Sequence, residues 1–381
     1  MIAPVTTETR YDFSTRAQVR DLGDAGLRLQ GWLRTHLPGA ADLTVTDVRM
    51  PSSAGVANET LMLETRRTLD GAPVTVRYVV RVDTHDHLFL GMDLAAHHRI
   101  YATMAEVPGV PVPAVLGLEA DASVLGDRFF VMEHVYGRVP PDRPNFNEAG
   151  WVKDLAAPQR ARLSRAFVET MAAMHAADVT KFEFLKRPHL GSSGLEQEMR
   201  HWLGYADWCK ASEIPVIAAS ARWLVEHFPK DPPTEFAWGD ARMQNVMFHE
   251  DGSCAAIFDW DMVSLGGPEA DLAWHAITEQ SHTAAVGKPR LEGIFTPQAV
   301  VDCWEATTGR KVRNWDWQLI FASFRSAAIS FKMGSMLKAR GELAPQSEYL
   351  LNNNGGMQWL AQLLDLPPPG PITRPFRGLD K

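Results

Sequence analysis

Apolar positions within residues 14–37 recur at roughly helical spacing: Val19, Leu22, Leu27, Leu29, Trp32, Leu33 and Leu37. The spacing predicts an amphipathic helix that Gly23 and Gly26 can split in two and that Pro38-Gly39 stops. From Leu43 the period falls to two. Residues 43–50 and 60–65 read as strands flanking a turn-rich segment at 51–58, and residues 74–82 as a third strand after an Asp70-Gly71 turn. A helix is expected around residues 91–106, a stiff proline-rich connection at 107–113, and a strand at 129–137 that ends in glycine. The chain then turns helical. Leu163, Phe167, Met171 and Met174 mark one face of a helix over residues 157–177, with Pro158 in its first turn. Residues 191–229 hold at least two further helices containing Trp202, Trp208 and Trp223, and residues 297–307 and 315–337 are helical again. Residues 367–381, with four early prolines, read as a loosely attached tail.

At 381 residues the chain is long enough for two lobes, each burying its own core. With 45% apolar and 22% charged residues it has the composition of a soluble globular protein. A formal net charge of -8 argues against a nucleic-acid partner, which calls for a basic surface. No apolar run approaches the length that crosses a bilayer, and the first residues lack the basic start and apolar core of a secretory signal. Cys209, Cys254 and Cys303 are odd in number, far apart and in no metal-ligand spacing, which fits a reduced, cytoplasmic setting.

The chemistry concentrates in residues 236–274. Ala237-Trp238-Gly239-Asp240-Ala241-Arg242-Met243-Gln244-Asn245 places an asparagine five positions after an aspartate. A turn at His249-Glu250-Asp251-Gly252 and a short apolar run lead to Asp259-Trp260-Asp261, and Pro268 opens a helix that carries Asp271 and Trp274. The Asp-Gly turn predicts a hairpin that returns Asp259 towards Asp240. Phosphoryl transfer needs such groups: one carboxylate to accept the proton of an attacking hydroxyl, and an amide with a second carboxylate to hold magnesium on the phosphates.

These motifs resemble the catalytic and metal loops of the aminoglycoside phosphotransferase and choline kinase-like family. The Asp-Trp-Asp and Gly-Asp-x-Arg variants look closer to the relatives fused to, or associated with, acyl-CoA dehydrogenases. The resemblance implies an α+β, bilobal protein kinase-like fold: a small antiparallel N-lobe sheet with one helix, and a larger, mainly helical C-lobe. It divides the chain into a helical segment at 1–37, a nucleotide-binding N-lobe at 38–133, a catalytic and acceptor-binding C-lobe at 134–366 and the tail. It implies ATP and Mg2+ as cofactors and a small-molecule hydroxyl acceptor. Asp240 becomes the catalytic base, and Asn245 and Asp259 the magnesium ligands. Ser53 and Gly55 lie in the loop expected over the phosphates, where small residues let backbone amides approach. Arg81 takes the place of the strand's basic residue, and an arginine can fork two phosphate oxygens. Backbone groups of Glu133, His134 and Val135 take the place that reads adenine.

Several positions stay open. Arg242, in the catalytic loop, either salt-links that loop or contacts a transferred phosphate. Asp261 is a further metal or water contact or a solvated carboxylate, and Asp271 caps its helix or braces the loop. The glutamate expected to position Arg81 is replaced by His97, with Asp93 one turn earlier as a substitute. Trp238 stands where many relatives have histidine, filling the volume but expected to lose a hydrogen bond. His175 is read as structural. The tryptophans of residues 191–229 either line an acceptor pocket or fill the lobe. A kinase-shaped binding or regulatory module with little catalysis is the alternative, although it has no physical need to keep Asp240, Asn245 and Asp259 together.

Overall fold

The computed structural model describes residues 20–51, 59–83, 88–91, 93–367 and 369–370. Ser53 and Gly55 lie outside the described residues, as does most of the tail. Helix α1 (Leu22–His36) starts at Asp21, whose carboxylate accepts from the amides of Gly23 and Asp24. Neither glycine breaks it. Gly26 instead sits where a Cβ would lie 2.9 Å from Val48, so the helix can press onto the first strand.

Five antiparallel strands follow in the order β1-β2-β3-β5-β4: β1 (Thr44–Arg49), β2 (Glu59–Leu69), β3 (Ala72–Val82), β4 (Val115–Glu119) and β5 (Phe129–Glu133). β2 and β3 pair over their full length across a turn in which Asp70 and Gly71 both have positive φ, as the Asp-Gly pair favours. One face of the sheet packs Leu61, Leu63, Val80, Val82, Phe129 and Val131 against Leu29, Trp32 and Leu33 of α1. α2 (Leu94–Met104) covers the other, with Ile100, Tyr101 and Met104 against Phe130 and Met132 in a core that continues into the second lobe.

The second lobe comprises α3 (Trp151–Asp154), α4 (Ala157–His175), α5 (Gly194–Trp208), α6 (Pro215–Glu226), the hairpin β6 (Val246–Phe248) and β7 (Cys254–Ile257), α7 (Pro268–His282), α8 (Pro297–Thr308), α9 (Trp315–Ala339), α10 (Tyr349–Asn352) and α11 (Gly355–Leu363). α9 is apolar nearly all round and runs buried between α7 and α11. This is the α+β, two-lobed arrangement that the motifs imply. β4, α10 and α11 were not expected from the sequence. No helix among the described residues is long and apolar enough to cross a membrane.

Candidate active site

Asp240 sits in a loop that only glycine can enter. Gly239 has φ +94°, and a Cβ there would fall 1.9 Å from Met262 O. Behind the loop, the buried carboxylate of Asp271 accepts the backbone N–H of Trp238 (2.7 Å) and of Gly239 (2.6 Å), and His175 Nε2 lies 2.9 Å away. His175 Nδ1 accepts the Trp304 indole N–H at 2.9 Å, so the imidazole proton sits on Nε2 and is donated to Asp271. Gly267 is the N-cap of α7, so Asp271 braces the loop rather than capping the helix.

The single turn of 3-10 helix at Met243–Asn245 is what makes the five-residue spacing matter, because it folds Asn245 back under Asp240. Asn245 Nδ2 donates to Asp240 Oδ2 at 2.7 Å and to Asp240 O at 3.0 Å, leaving the amide oxygen as its acceptor. Arg242 Nε donates to the same Oδ2 at 3.0 Å, and its Nη1 reaches Asp142 at 3.3 Å. Arg242 therefore salt-links the loop. Burial would lower its pKa, but the carboxylates of Asp240, Asp142 and Asp259 outweigh that and raise it. On Asp240 Oδ1 the donor is Trp274 Nε1, at 2.5 Å. The sequence points to no role for Asp142, and it places Trp274 in the motif, one helical turn after Asp271, without a contact to Asp240.

The hairpin delivers Asp259 as expected, and Phe258 N–H closes onto Asn245 O at 3.0 Å. Asp259 itself has φ +62°. It is held there by Trp238, whose indole N–H is shared between Phe258 O and Asp259 O, both at 3.0 Å. The expected loss of a hydrogen bond at this position is thus corrected: the larger ring reaches the Phe258 and Asp259 backbone directly. Trp238→Phe keeps the packing against Phe167 and Trp260 but strands these carbonyls. It is expected to cost about 1–3 kcal/mol in chemical denaturation, and an unchanged midpoint would contradict the brace.

Asp261 is 9% exposed and not a solvated carboxylate. His97 Nε2 lies 3.3 Å from its Oδ1 without the alignment of a hydrogen bond. Burial, then neighbouring Arg81, push His97 down to about 4, so the imidazole is neutral at pH 7. Arg81 Nη1 donates to Thr60 Oγ1 at 2.8 Å; burial raises the Asp261 carboxyl above the usual range, and the charge of Arg81 acts against that rise. Asp261, from the second lobe, is thus a carboxyl that interacts electrostatically with Arg81, where the resemblance implies a residue of α2. Asp93 is not the substitute, because it caps α2 and pairs with Arg128 Nη1 at 3.1 Å.

Burial, then the charges of Asp261 and Asp240, raise the Asp259 carboxyl well above the usual range. Among the described residues no three His, Cys, Asp or Glu side chains form a metal cage. One carboxylate and one amide oxygen beside further negative charge suit a hard cation completed by phosphates and water.

At the end of β5 the amides of Glu133 and His134 are already donated, to Ala114 O (2.9 Å) and Arg77 O (3.2 Å). Among the described residues, Val135 N–H has no backbone partner, which leaves it as the available donor of the three. Trp202 is 2% exposed and bonded to Glu198, so it fills the lobe, whereas Trp208 is 43% exposed. A recess opens beside Arg242, lined also by Asn145, Met243, His275 and Glu279, and Asp240, Asn245 and Asp259 do not line it.

Residues 50–301 match the APH phosphotransferase enzyme family. The chain belongs to that family. It is 26% identical over 259 residues to human acyl-CoA dehydrogenase family member 11, covering 65% of this chain and 30% of the human protein. It is 27% identical over 279 residues to mouse acyl-CoA dehydrogenase family member 10, covering 68% and 25%. The chain therefore spans about a third or less of the length of these relatives, which accords with the resemblance to acyl-CoA-dehydrogenase-associated members. Among solved structures, a Ralstonia eutropha JMP134 protein assigned as an aminoglycoside phosphotransferase aligns with TM-score 0.63 and 23% identity over 85% of this chain and 93% of its own. The aminoglycoside phosphotransferase APH(4)-Ia, in complex with AMP-PNP and hygromycin B, aligns with TM-score 0.53 and 14% identity over 88% and 98%. At these identities the likeness is one of fold.

Proposed function

We propose that this phosphotransferase moves the γ-phosphate of ATP, with magnesium, to a hydroxyl of a small molecule. The observation that carries the reading is the convergence of Asp240, Asn245 and Asp259, with Asn245 bonded to Asp240 by its amide N–H. Asp240 accepts the hydroxyl proton as the new oxygen–phosphorus bond forms. Asn245 Oδ1 and Asp259 hold magnesium, which neutralises charge on the phosphates when bound. Arg81 faces the phosphates, and Val135 N–H with nearby backbone carbonyls reads the base. In this reading Arg242 orients Asp240 by bridging it to Asp142. The nucleotide occupies the lobe formed by residues 38–133, the acceptor occupies the lobe of residues 134–366, and the reaction is cytoplasmic.

Calorimetric titration of ATP with and without magnesium tests the reading. Asp259→Ala is expected to weaken magnesium-dependent binding by at least about tenfold. Wild-type affinity in that variant, or binding indifferent to magnesium in the unaltered protein, would reject the metal role.

A further inference from the structure

The donors on Asp240 are unevenly shared. Oδ2 accepts from both Arg242 Nε and Asn245 Nδ2, and Oδ1 from Trp274 Nε1. A carboxylate oxygen offers about two lone-pair directions, so Oδ2 is filled while Oδ1 keeps one. Trp274 is buried on α7, and the guanidinium of Arg325, from α9, lies 4.8 Å from the centre of its ring. Arg325 is 1% exposed; Glu198 lies 3.8 Å from it, and its Nη2 donates to Ala270 O at 3.2 Å, in the first turn of α7. A cation against an indole face is attracted by the ring and draws electron density from it, which makes the N–H a stronger donor. Packing alone accounts for neither feature. Phenylalanine fills such a slot without an N–H, and apolar residues replace a buried ion pair at little or no loss of stability.

Resting on the reading of Asp240 as the base, we infer that Trp274 and Arg325 are positioning residues that select Oδ1 as the oxygen receiving the acceptor's proton. The indole N–H stops the carboxylate from rotating, and Arg325 holds and polarises the indole. The acceptor O–H bond breaks with its proton passing to Oδ1, the oxygen bonds to the γ-phosphorus, and the bridging P–O bond breaks with its electrons leaving on ADP.

The test combines steady-state kinetics with the ¹H–¹⁵N spectrum of the indole N–H groups. Trp274→Phe is expected to lower kcat about ten- to hundredfold, the loss of one hydrogen bond to a charged group, while KM for ATP stays within about twofold. The resonance missing from the Trp274→Phe spectrum should lie downfield in the unaltered protein, as befits a short bond to a carboxylate. It should move upfield in Asp240→Asn and in Arg325→Met, and by less in Arg325→Lys. Unchanged kcat in Trp274→Phe, or a resonance unmoved by Asp240→Asn, would overturn the inference. Should the Arg325 or Trp274 variants fail to fold, the Asp240→Asn spectrum decides by itself whether the bond exists. Asp240→Asn turning over at the wild-type rate would remove the base reading itself, whereas its inactivity beside a fully active Trp274→Phe would remove this inference alone.

Discussion

Asp240→Asn is expected to lower phosphate transfer by about two to four orders of magnitude while ATP and magnesium still bind. The amide keeps the side chain's shape and one acceptor oxygen but cannot take a proton. Its N–H₂ also has to face either the donors on Oδ2, Arg242 Nε and Asn245 Nδ2, or the Trp274 indole. In the proposed function the nucleotide contacts fall on Asn245, Asp259, Arg81 and the end of β5, so nucleotide affinity should change little. Transfer is read from the mass of the acceptor and binding from calorimetry; weakened binding together with weakened transfer would show that the residue holds the metal rather than the proton.

Asp271→Ala is expected to destabilise the protein by about 3–5 kcal/mol, the penalty for breaking a buried charged network. Its carboxylate is wholly buried and accepts from Trp238 N, Gly239 N and His175 Nε2. Without it, two loop amides and an imidazole N–H have no acceptor, and each such orphan costs about 1–3 kcal/mol. Asp271→Asn should fall between, since one amide oxygen cannot serve both loop N–H groups while the N–H₂ meets another donor. Chemical denaturation reads the loss. A wild-type midpoint in Asp271→Ala would mean that the loop is held from elsewhere.

The geometry of the candidate loop was legible in the sequence because its parts are local. A helical turn carries Asp240 to Asn245, and one hairpin returns Asp259, all within residues 236–274. Around Arg81 the resemblance places His97, which the structure brings beside it, but not Asp261, because Asp261 comes from the segment after β7 and no spacing links it to β3 or α2; burial decides that His97 is neutral. Trp238 was misjudged for a similar reason, since its hydrogen-bond partners lie twenty and more residues away. β4 was hidden by its even, half-buried pattern, which shows no alternation. α11 was hidden by its opening Gly355-Gly356. Gly356 is required there because a Cβ would meet the Ala327 backbone at 2.4 Å, so the residue that weakens the helical signal is the one that lets α11 dock on α9.

The most direct test is to incubate the protein with magnesium and ATP carrying an ¹⁸O-labelled γ-phosphate, in a mixture of alcohols, polyols, hydroxy acids and aminoglycosides, and to follow the label by mass spectrometry. The account predicts that labelled phosphate appears as an ester on a hydroxyl compound with the unaltered protein and is lost with Asp240→Asn. Labelled ester formed equally fast by Asp240→Asn, or formed without magnesium, would contradict it.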